Sequence, residues 1–170
     1  MLALGLIGLA AVARGETLEY EVYELNGHDK RSLLARGVKE YAVADVRIVE
    51  RSKGGQRSWS KSVVVWDDFS VGASVFCEQS LEGFGLWIAR PGDGFSWDWF
   101  DREEQGTFKK LQGGGRVRVT MAASTKCSEF VAVEFLTDVT LRGRFSWWPF
   151  SFADTHQIVL KKGSVLRIAP

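Results

Sequence analysis

Apolar and polar residues alternate with a period of two along most of the chain after its first fifteen residues, and no other feature constrains the fold as strongly. In one typical run, polar residues separate Leu18, Tyr20 and Val22. Successive side chains of a β-strand point to opposite faces, so this period predicts half-buried strands. Turn signals such as Gly54-Gly55 and Pro91-Gly92 separate the runs. We therefore expect an all-β fold: a single-domain antiparallel β-sandwich or flattened barrel of about ten short strands, with little helix.

Two hairpins are predicted from the turn signals. A Pro-Gly loop should fold Phe84–Arg90 back against Phe95–Phe100, because proline fixes one φ and glycine allows the unusual ones. Near the end of the chain, Gln157–Leu160 and Val165–Ile168 are expected to form a final hairpin through Lys161–Ser164.

Two other segments carry expectations about their secondary structure. Phe130–Leu141 keeps its apolar residues in alternation throughout, which indicates one long strand. His28–Arg36 is polar at first and then apolar, and it is compatible with a short helical turn before Gly37.

The first fifteen residues differ in composition from the remainder. Leu2–Ala13 is a continuous run of small and apolar residues, and Ala11-Val12-Ala13 or Ala13-Arg14-Gly15 offers a cleavage site. This pattern predicts a signal peptide over residues 1–15, a single β domain over residues 16–170, and a secreted or periplasmic protein. No Lys or Arg precedes the run, so the alternative is an apolar strand or buried helix of the fold itself. The run is shorter than the roughly 20 residues that span a bilayer.

The only two cysteines are Cys77 and Cys127, fifty positions apart. In an exported domain two cysteines usually pair, and closing a loop of about 50 residues stabilises the fold by roughly 4 kcal/mol. We therefore predict a Cys77–Cys127 disulfide, with two buried thiols as the alternative. The cysteines lack the Cys-x-x-Cys spacing of metal and redox sites.

The charge balance and the histidine count disfavour several function classes. Because 22 Lys and Arg residues nearly balance 21 Asp and Glu residues, we expect no nucleic-acid partner, which would need clustered cations. The two histidines, His28 and His156, match no metal or triad pattern. The acidic residues between Asp93 and Glu104 indicate a solvated loop more than a glycosidase pair. We expect no metal, no cofactor and no enzymatic activity.

Two aromatic blocks, 50 positions apart, are the candidate binding residues. In the first, Phe95–Asp101, the strand period places Trp97 and Trp99 on one face and Asp98 on the other. These rings could form a core wall or a platform for a ligand, with Asp98 and Asp101 as its hydrogen-bonding rim. Because the chain has seven tryptophans, we expect part of the set to be exposed as a binding surface.

The second block is Phe145–Phe150. Pro149 cannot donate to a strand ladder, so it should lie at an edge or outside the sheet. For this reason Trp148-Pro149-Phe150 is the better candidate for an exposed aromatic loop, and Trp147 of the same block is a further candidate binding residue.

Together these features predict an exported binding protein. We expect it to recognise another protein through the exposed aromatic patch, as inhibitors and immunity proteins do, since Trp is enriched at interface hot spots. The first alternative is a carbohydrate-binding module that uses the same tryptophans. Attachment to a membrane surface is a further alternative, which the neutral net charge disfavours.

Overall fold

Thirteen β-strands make up most of the described part of the chain in a computed structural model, and that part contains no α-helix. The structure describes residues 16–26, 30–41, 47–53, 56–66, 69–77, 81–90, 94–122, 129–146 and 153–167. The strands form two antiparallel sheets, which confirms the predicted all-β sandwich or barrel of short strands.

The larger sheet has nine strands and curls into a half-barrel. Eight of them follow one another in chain order as neighbours, which the many short turns of the sequence permit. The strands are β3 (Arg47–Lys53), β4 (Gln56–Trp66), β5 (Phe69–Cys77), β6 (Leu81–Arg90), β7 (Gly94–Glu104), β8 (Thr107–Lys110), β9 (Arg116–Met121), β10 (Phe130–Phe135) and, beside β10, β13 (Val165–Arg167).

The smaller sheet has four strands in the order β11-β12-β1-β2, so it pairs the first two described strands with two late ones. Its strands are β1 (Glu16–Asn26), β2 (Lys30–Tyr41), β11 (Val139–Ser146) and β12 (Ala153–Leu160). β11 also lies against β6 and β7 of the larger sheet, so the two sheets meet along this strand.

The hydrophobic core lies between the facing surfaces of the two sheets. Phe84 is fully buried at its centre, and its ring centroid is 5.4 Å from those of both Phe100 and Phe108. Full burial of one such side chain contributes roughly 1.5–3 kcal/mol. The largest fully buried side chains come from both sheets: Phe84, Phe108, Phe130, Phe135, Leu18, Leu86, Ile88, Leu141, Ile158, Leu160 and Leu166.

The hairpin predicted around the Pro-Gly loop is confirmed. β6 pairs with β7 in antiparallel register, with Phe84 opposite Phe100 and Arg90 opposite Gly94. Side-chain alternation is equally regular in β9, where Val117 and Val119 are buried between exposed neighbours.

The predicted single strand Phe130–Leu141 is wrong, because the segment is divided between the two sheets as β10 and β11. Two hydrogen bonds to β9 hold the break. Leu136 N donates to the Arg116 carbonyl (3.0 Å), and Arg116 N donates to Thr137 Oγ (2.9 Å). Apolar residues alternate on both sides of the break, so the pattern alone does not reveal it.

The predicted final hairpin is also wrong. The turn Lys161–Ser164 does form, with Gly163 at a φ of 86°, but β12 pairs with β1 and β11 whereas β13 pairs with β10. Gly163 N donates to the Phe135 carbonyl (2.8 Å) and Lys161 N to the Glu19 carbonyl (3.0 Å), one partner in each sheet. The turn therefore carries the chain from the smaller sheet to the larger one.

The described strands change sheets three times, and two of these places, β10–β11 and β12–β13, lie side by side and are joined by Asp138. Its Oδ1 accepts a hydrogen bond from Lys162 N (2.8 Å), and its Oδ2 lies 2.5 Å from Lys161 Nζ. The Lys161 hydrogen bond, followed by that from Lys162 N, lowers the pKa of Asp138. We call Asp138, Lys161 and Lys162 the crossover clamp.

The segment for which a helical turn was considered is mostly strand, because Lys30–Tyr41 forms β2. Its register against β1 shifts between Val22 and Tyr23, which leaves Leu34 as an extra residue at a β-bulge. The sequence of this segment has no strong strand propensity, and it is the pairing with β1 that makes it a strand.

Several sequence predictions fall on residues that the structure does not describe. The proposed signal peptide, residues 1–15, and the second aromatic loop, residues 147–150, lie outside the described ranges. Cys77 is buried at the end of β5, facing the core, whereas Cys127 lies outside the described residues. The disulfide and the signal peptide therefore stay predictions.

Candidate functional site

Trp97 and Trp99 lie on the outer face of the larger sheet, opposite the core. Phe100 points into the core with 5% exposure, so the strand period turns Trp99 outward, where 42% of it is exposed. The two indole rings stack almost in parallel, with centroids 5.6 Å apart and an interplanar angle of 7°. The predicted common face of Trp97 and Trp99 is therefore confirmed, as is the exposure of one of them.

Two further rings extend this face into the aromatic cluster, which we define as Phe76, Trp87, Trp97 and Trp99. The Phe76 centroid is 5.1 Å from that of Trp99, and the Trp87 centroid is 6.3 Å from that of Trp97. The Trp87–Trp97 contact joins the neighbouring strands β6 and β7, and the Phe76–Trp99 contact reaches from β5 to β7 across β6, so the cluster spans three strands. Rings packed at these distances contribute about 0.5–1.5 kcal/mol per pair beyond the area they bury.

A glycine beneath the rings makes this packing possible. Gly85 of β6 lies opposite Trp99, and a Cβ atom built there would lie 3.3 Å from the Trp97 ring and 3.4 Å from the Trp99 ring. Any larger residue would push the rings away from the sheet. The glycine therefore lets the indoles lie close to the backbone, where neighbours on both sides hold them.

Asp98 points the other way and joins the two sheets. Its Oδ2 accepts a hydrogen bond from Arg142 N of β11 (3.3 Å), and its Oδ1 lies 3.3 Å from Lys110 Nζ. Lys110, only 7% exposed, also donates to the Thr140 carbonyl, and Ser96 Oγ donates to the Arg142 carbonyl (2.6 Å). Both carboxylate oxygens of Asp98 are thus engaged within the protein, which differs from the ligand-binding rim expected of it.

A small pocket of about 180 Å³ opens beside the two indoles, and we call it the aromatic pocket. Its lining consists of Trp97, Asp98, Trp99, Leu111 and Gln112. Leu111 N donates to the Trp99 carbonyl (3.2 Å), which holds the loop after β8 against β7. The Leu111 side chain is 64% exposed, so it adds an apolar rim to the pocket beside the exposed Trp99.

A larger cavity of about 550 Å³ adjoins the aromatic pocket and shares Asp98 and Gln112 with it. We call it the polar groove. Its lining includes residues from all four strands of the smaller sheet, together with Asp98 of β7 and the end of β8 with the loop that follows it. Its lining residues are Leu25, Arg31, Asp98, Lys110, Gln112, Gly113, Thr140, Arg142 and Gln157.

Arg31 is held in the groove by an aromatic ring. Its guanidinium carbon lies 4.0 Å from the centroid of Tyr23, a cation–π contact. The Tyr23 hydroxyl donates to Glu21 Oε2 (2.8 Å), and this hydrogen bond is the main reason why the pKa of Tyr23 is raised. The Arg31 guanidinium therefore packs on the ring of Tyr23, whose hydroxyl is fixed by a hydrogen bond.

The structure brings together some of the predicted site residues and not others. Trp97, Asp98 and Trp99 line the aromatic pocket. Asp101 is exposed further along β7 and lines neither cavity; its Oδ1 accepts a hydrogen bond from the next backbone N–H (3.0 Å). Trp147, Trp148, Pro149 and Phe150 lie outside the described residues.

Sequence reasoning missed the other lining residues, chiefly Arg31, Leu111, Gln112 and Arg142. A leucine placed between a short strand and Gly113 was a weak signal of an exposed apolar side chain. Arg31 and Arg142 lie far apart in the sequence, and only the pairing of four strands places both in one groove.

Within the described ranges, no group of three or more His, Cys, Asp or Glu side chains could hold a metal ion. The same ranges contain no helix long and apolar enough to cross a membrane. No family model, no curated protein and no solved structure matches the chain.

Proposed function

We propose that this chain is an exported binding protein that recognises another protein through the aromatic pocket and its rim. The observation that carries the proposal is the exposure of two large apolar side chains, Trp99 and Leu111, that line one small pocket. Apolar side chains grouped at a concave surface mark interaction sites on soluble proteins.

The rigidity of the aromatic cluster supports the same function. Trp99 packs against both Trp97 and Phe76, so it has little rotamer freedom to lose on binding. A pocket of about 180 Å³ has room for one or two apolar side chains of a partner. This is how hot-spot residues bind: an anchor enters a preformed pocket while the surrounding contacts exclude water.

Carbohydrate binding is the second candidate, favoured by the exposed Trp99 ring and by the amides of Gln112 and Gln157 in the adjoining groove. Two observations place it second. Trp97 and Trp99 stack on one another, so ring faces that a sugar would need are already covered. Both carboxylate oxygens of Asp98 contact donors of the protein itself.

The test is affinity capture from the extracellular or periplasmic fraction, with tagged wild-type chain and three variants. Trp99→Ala and Leu111→Ser remove the two rim residues; Val38→Ser removes an apolar side chain of similar exposure on β2, outside both cavities. We expect one protein species to be retained by wild type and Val38→Ser, with about tenfold weaker affinity for the two rim variants.

Leu111→Ser keeps the test decisive if Trp99→Ala lowers stability, because Leu111 is largely exposed. Retention that is equal for all four proteins would refute the proposed function. Binding to a glycan array that is lost in Trp99→Ala would favour the carbohydrate candidate. The N-terminal sequence of the protein purified from its natural source tests export: a retained Met1 contradicts it.

A further inference from the structure

The polar groove carries a net positive charge in a protein that is almost neutral overall. Three of its lining side chains, Arg31, Lys110 and Arg142, are cationic, and one, Asp98, is anionic, which leaves a net charge of +2. The whole chain has a formal charge of only +1. The groove is therefore a local concentration of positive charge.

Contacts within the protein hold the side chains of two groove cations, Arg31 and Lys110, and the backbone of the third, Arg142, before any ligand arrives. Arg31 rests on the Tyr23 ring at 4.0 Å. Lys110 is fixed between Asp98 and the Thr140 carbonyl, and the backbone of Arg142 is bonded to Asp98 and Ser96. Preorganised donors lose less conformational entropy when they bind an anion than exposed flexible ones do.

We infer that the polar groove binds the carboxylates of an acidic, extended segment of the partner protein whose neighbouring apolar side chain fills the aromatic pocket. This inference rests on the proposed function, because it assigns the chemistry of that partner. The groove and the pocket share Asp98 and Gln112, so one segment can reach both. Guanidinium groups match carboxylates in bidentate geometry, which gives specificity as well as affinity.

Charge complementarity selects this occupant over two others. β2, which borders the groove, carries the four cations Lys30, Arg31, Arg36 and Lys39 against the single anion Glu40, so a second copy of the chain seated through this strand would bring like charges together. A nucleic acid needs a longer track of cations than the three that line this groove.

The direct test uses model peptides in place of the unidentified partner. The probes are a blocked pentapeptide, Glu-Glu-Leu-Glu-Glu, and its neutral counterpart, Gln-Gln-Leu-Gln-Gln. Tryptophan fluorescence and backbone amide shifts report binding to the full chain. We expect the acidic peptide to bind about tenfold more tightly than the neutral one at low salt, with the difference largely lost near 1 M salt.

Four variants locate the binding. Arg31→Gln and Arg142→Gln should each weaken binding of the acidic peptide severalfold and leave the affinity for the neutral peptide unchanged. Arg36→Gln removes an equally exposed arginine of β2 that lines neither cavity, and it should have no effect. Trp99→Ala should weaken both peptides, because it removes the contact with their leucine.

The outcomes separate the inference from the proposed function. Equal affinities for the two peptides would overturn the inference, and so would unchanged binding of the acidic peptide by Arg31→Gln and Arg142→Gln. In either case, weaker peptide binding by Trp99→Ala would still uphold the proposed function. Failure of Trp99→Ala to weaken either peptide would overturn the proposed function instead. Tighter binding of an oligogalacturonate than of the acidic peptide, or no binding of either peptide, would also overturn the inference.

Discussion

At the scale of single residues, adjacent side chains of β7 have different roles because successive side chains of a strand face opposite sides of the sheet. Trp99 is exposed at the aromatic pocket, whereas Asp98 accepts hydrogen bonds from Lys110 and Arg142 between the sheets. Lys110 is buried, so its charge depends on Asp98 for compensation.

Asp98→Asn should therefore lower the free energy of unfolding far more than a substitution at the surface usually does. Removing the charge leaves the buried ammonium of Lys110 without its carboxylate, and we expect a loss of about 2–3 kcal/mol in the free energy of unfolding. Urea denaturation measures it. The control is Asp101→Asn, an exposed carboxylate of the same strand, with an expected change within about 0.5 kcal/mol. Similar losses in both variants would show that Asp98 has no special role between the sheets.

Tyr41 joins the end of β2 to β13. Its hydroxyl donates to the Val165 carbonyl (3.1 Å) and accepts from Arg167 N (2.6 Å). Burial raises the pKa of Tyr41 to about 12 from an ordinary 10.0. Because the folded value is the higher one, this contribution to stability is complete below pH 10.0 and is lost as the pH rises towards about 12.

Tyr41→Phe should lower the free energy of unfolding by about 2 kcal/mol at neutral pH, since it leaves two backbone groups unpaired. It should also flatten the decline in stability above pH 10.0, which chemical denaturation at several alkaline pH values would reveal. Tyr23→Phe is the comparison at neutral pH, where it should cost less because the Tyr23 hydroxyl bonds only the Glu21 side chain and no backbone group is left unpaired. An unchanged alkaline profile in Tyr41→Phe would contradict this account.

At the scale of whole elements, β2 is an edge strand whose composition matters for solubility. Among the described strands it pairs with β1 alone, and it exposes Leu33, Leu34 and Val38. Such an edge invites pairing with another chain, and natural proteins block it with charged residues and bulges. β2 has both: a bulge at Leu34 and the cations Lys30, Arg31, Arg36 and Lys39.

Replacing Arg36 and Lys39 of this edge with threonine should promote self-association through β2. Threonine keeps the strand propensity and removes the like-charge repulsion between two copies. Sedimentation velocity should show a dimer or larger species at concentrations where the wild type is monodisperse. The same replacements at Lys109 and Arg118, in strands paired on both sides, control for the change in net charge. Equal self-association of the two double variants would refute the edge argument.

At the scale of the whole molecule, the crossover clamp holds together two of the three points at which the described chain changes sheets, β10–β11 and β12–β13. The pKa of Asp138 is lowered from 3.8, first by the Lys161 hydrogen bond. Because the folded value is the lower one, this contribution is present above pH 3.8 and is lost as the pH falls through the folded pKa.

Asp138→Asn should lower stability by about 1 kcal/mol at neutral pH, a modest loss because solvent screens this half-exposed pair. In strongly acidic solution, where the wild-type carboxylate is protonated, the two proteins should unfold at nearly the same denaturant concentration. Urea titrations across the acidic range make the comparison. A difference that persists at the lowest pH would contradict an electrostatic origin.

The predicted Cys77–Cys127 crosslink also belongs to this scale. If it forms, peptide mapping without reductant should recover a linked pair, and Cys127→Ser should lower the free energy of unfolding by roughly 4 kcal/mol or less. Val75→Ala is the comparison, because it removes a buried side chain of β5 near Cys77 and keeps both cysteines. Any loss of stability in that variant comes from packing and not from the crosslink. Two unlinked thiols in the purified protein would refute the prediction.

The fold was more predictable than the site. The period-two pattern and the glycine turns correctly predicted the strand content, the β6–β7 hairpin and the alternation of β9. Segments such as Phe130–Leu141 misled the prediction because alternation continues unchanged where the chain passes to another sheet. In the site, Trp97 and Trp99 were predictable as a pair on one face, whereas the role of Asp98 depended on a strand 40 residues away.

The sequence by itself determined that the chain builds strands, which residues of each strand face together, and that aromatic rings concentrate on β7. These are local properties, since side-chain direction along a strand follows from backbone geometry alone. Only the tertiary structure decided which strands share a sheet, that Asp98 joins the sheets, and that Arg31, Lys110 and Arg142 surround one groove beside the indoles. Those contacts join segments far apart in the chain, and it is the burial of both apolar faces in one core that brings them together.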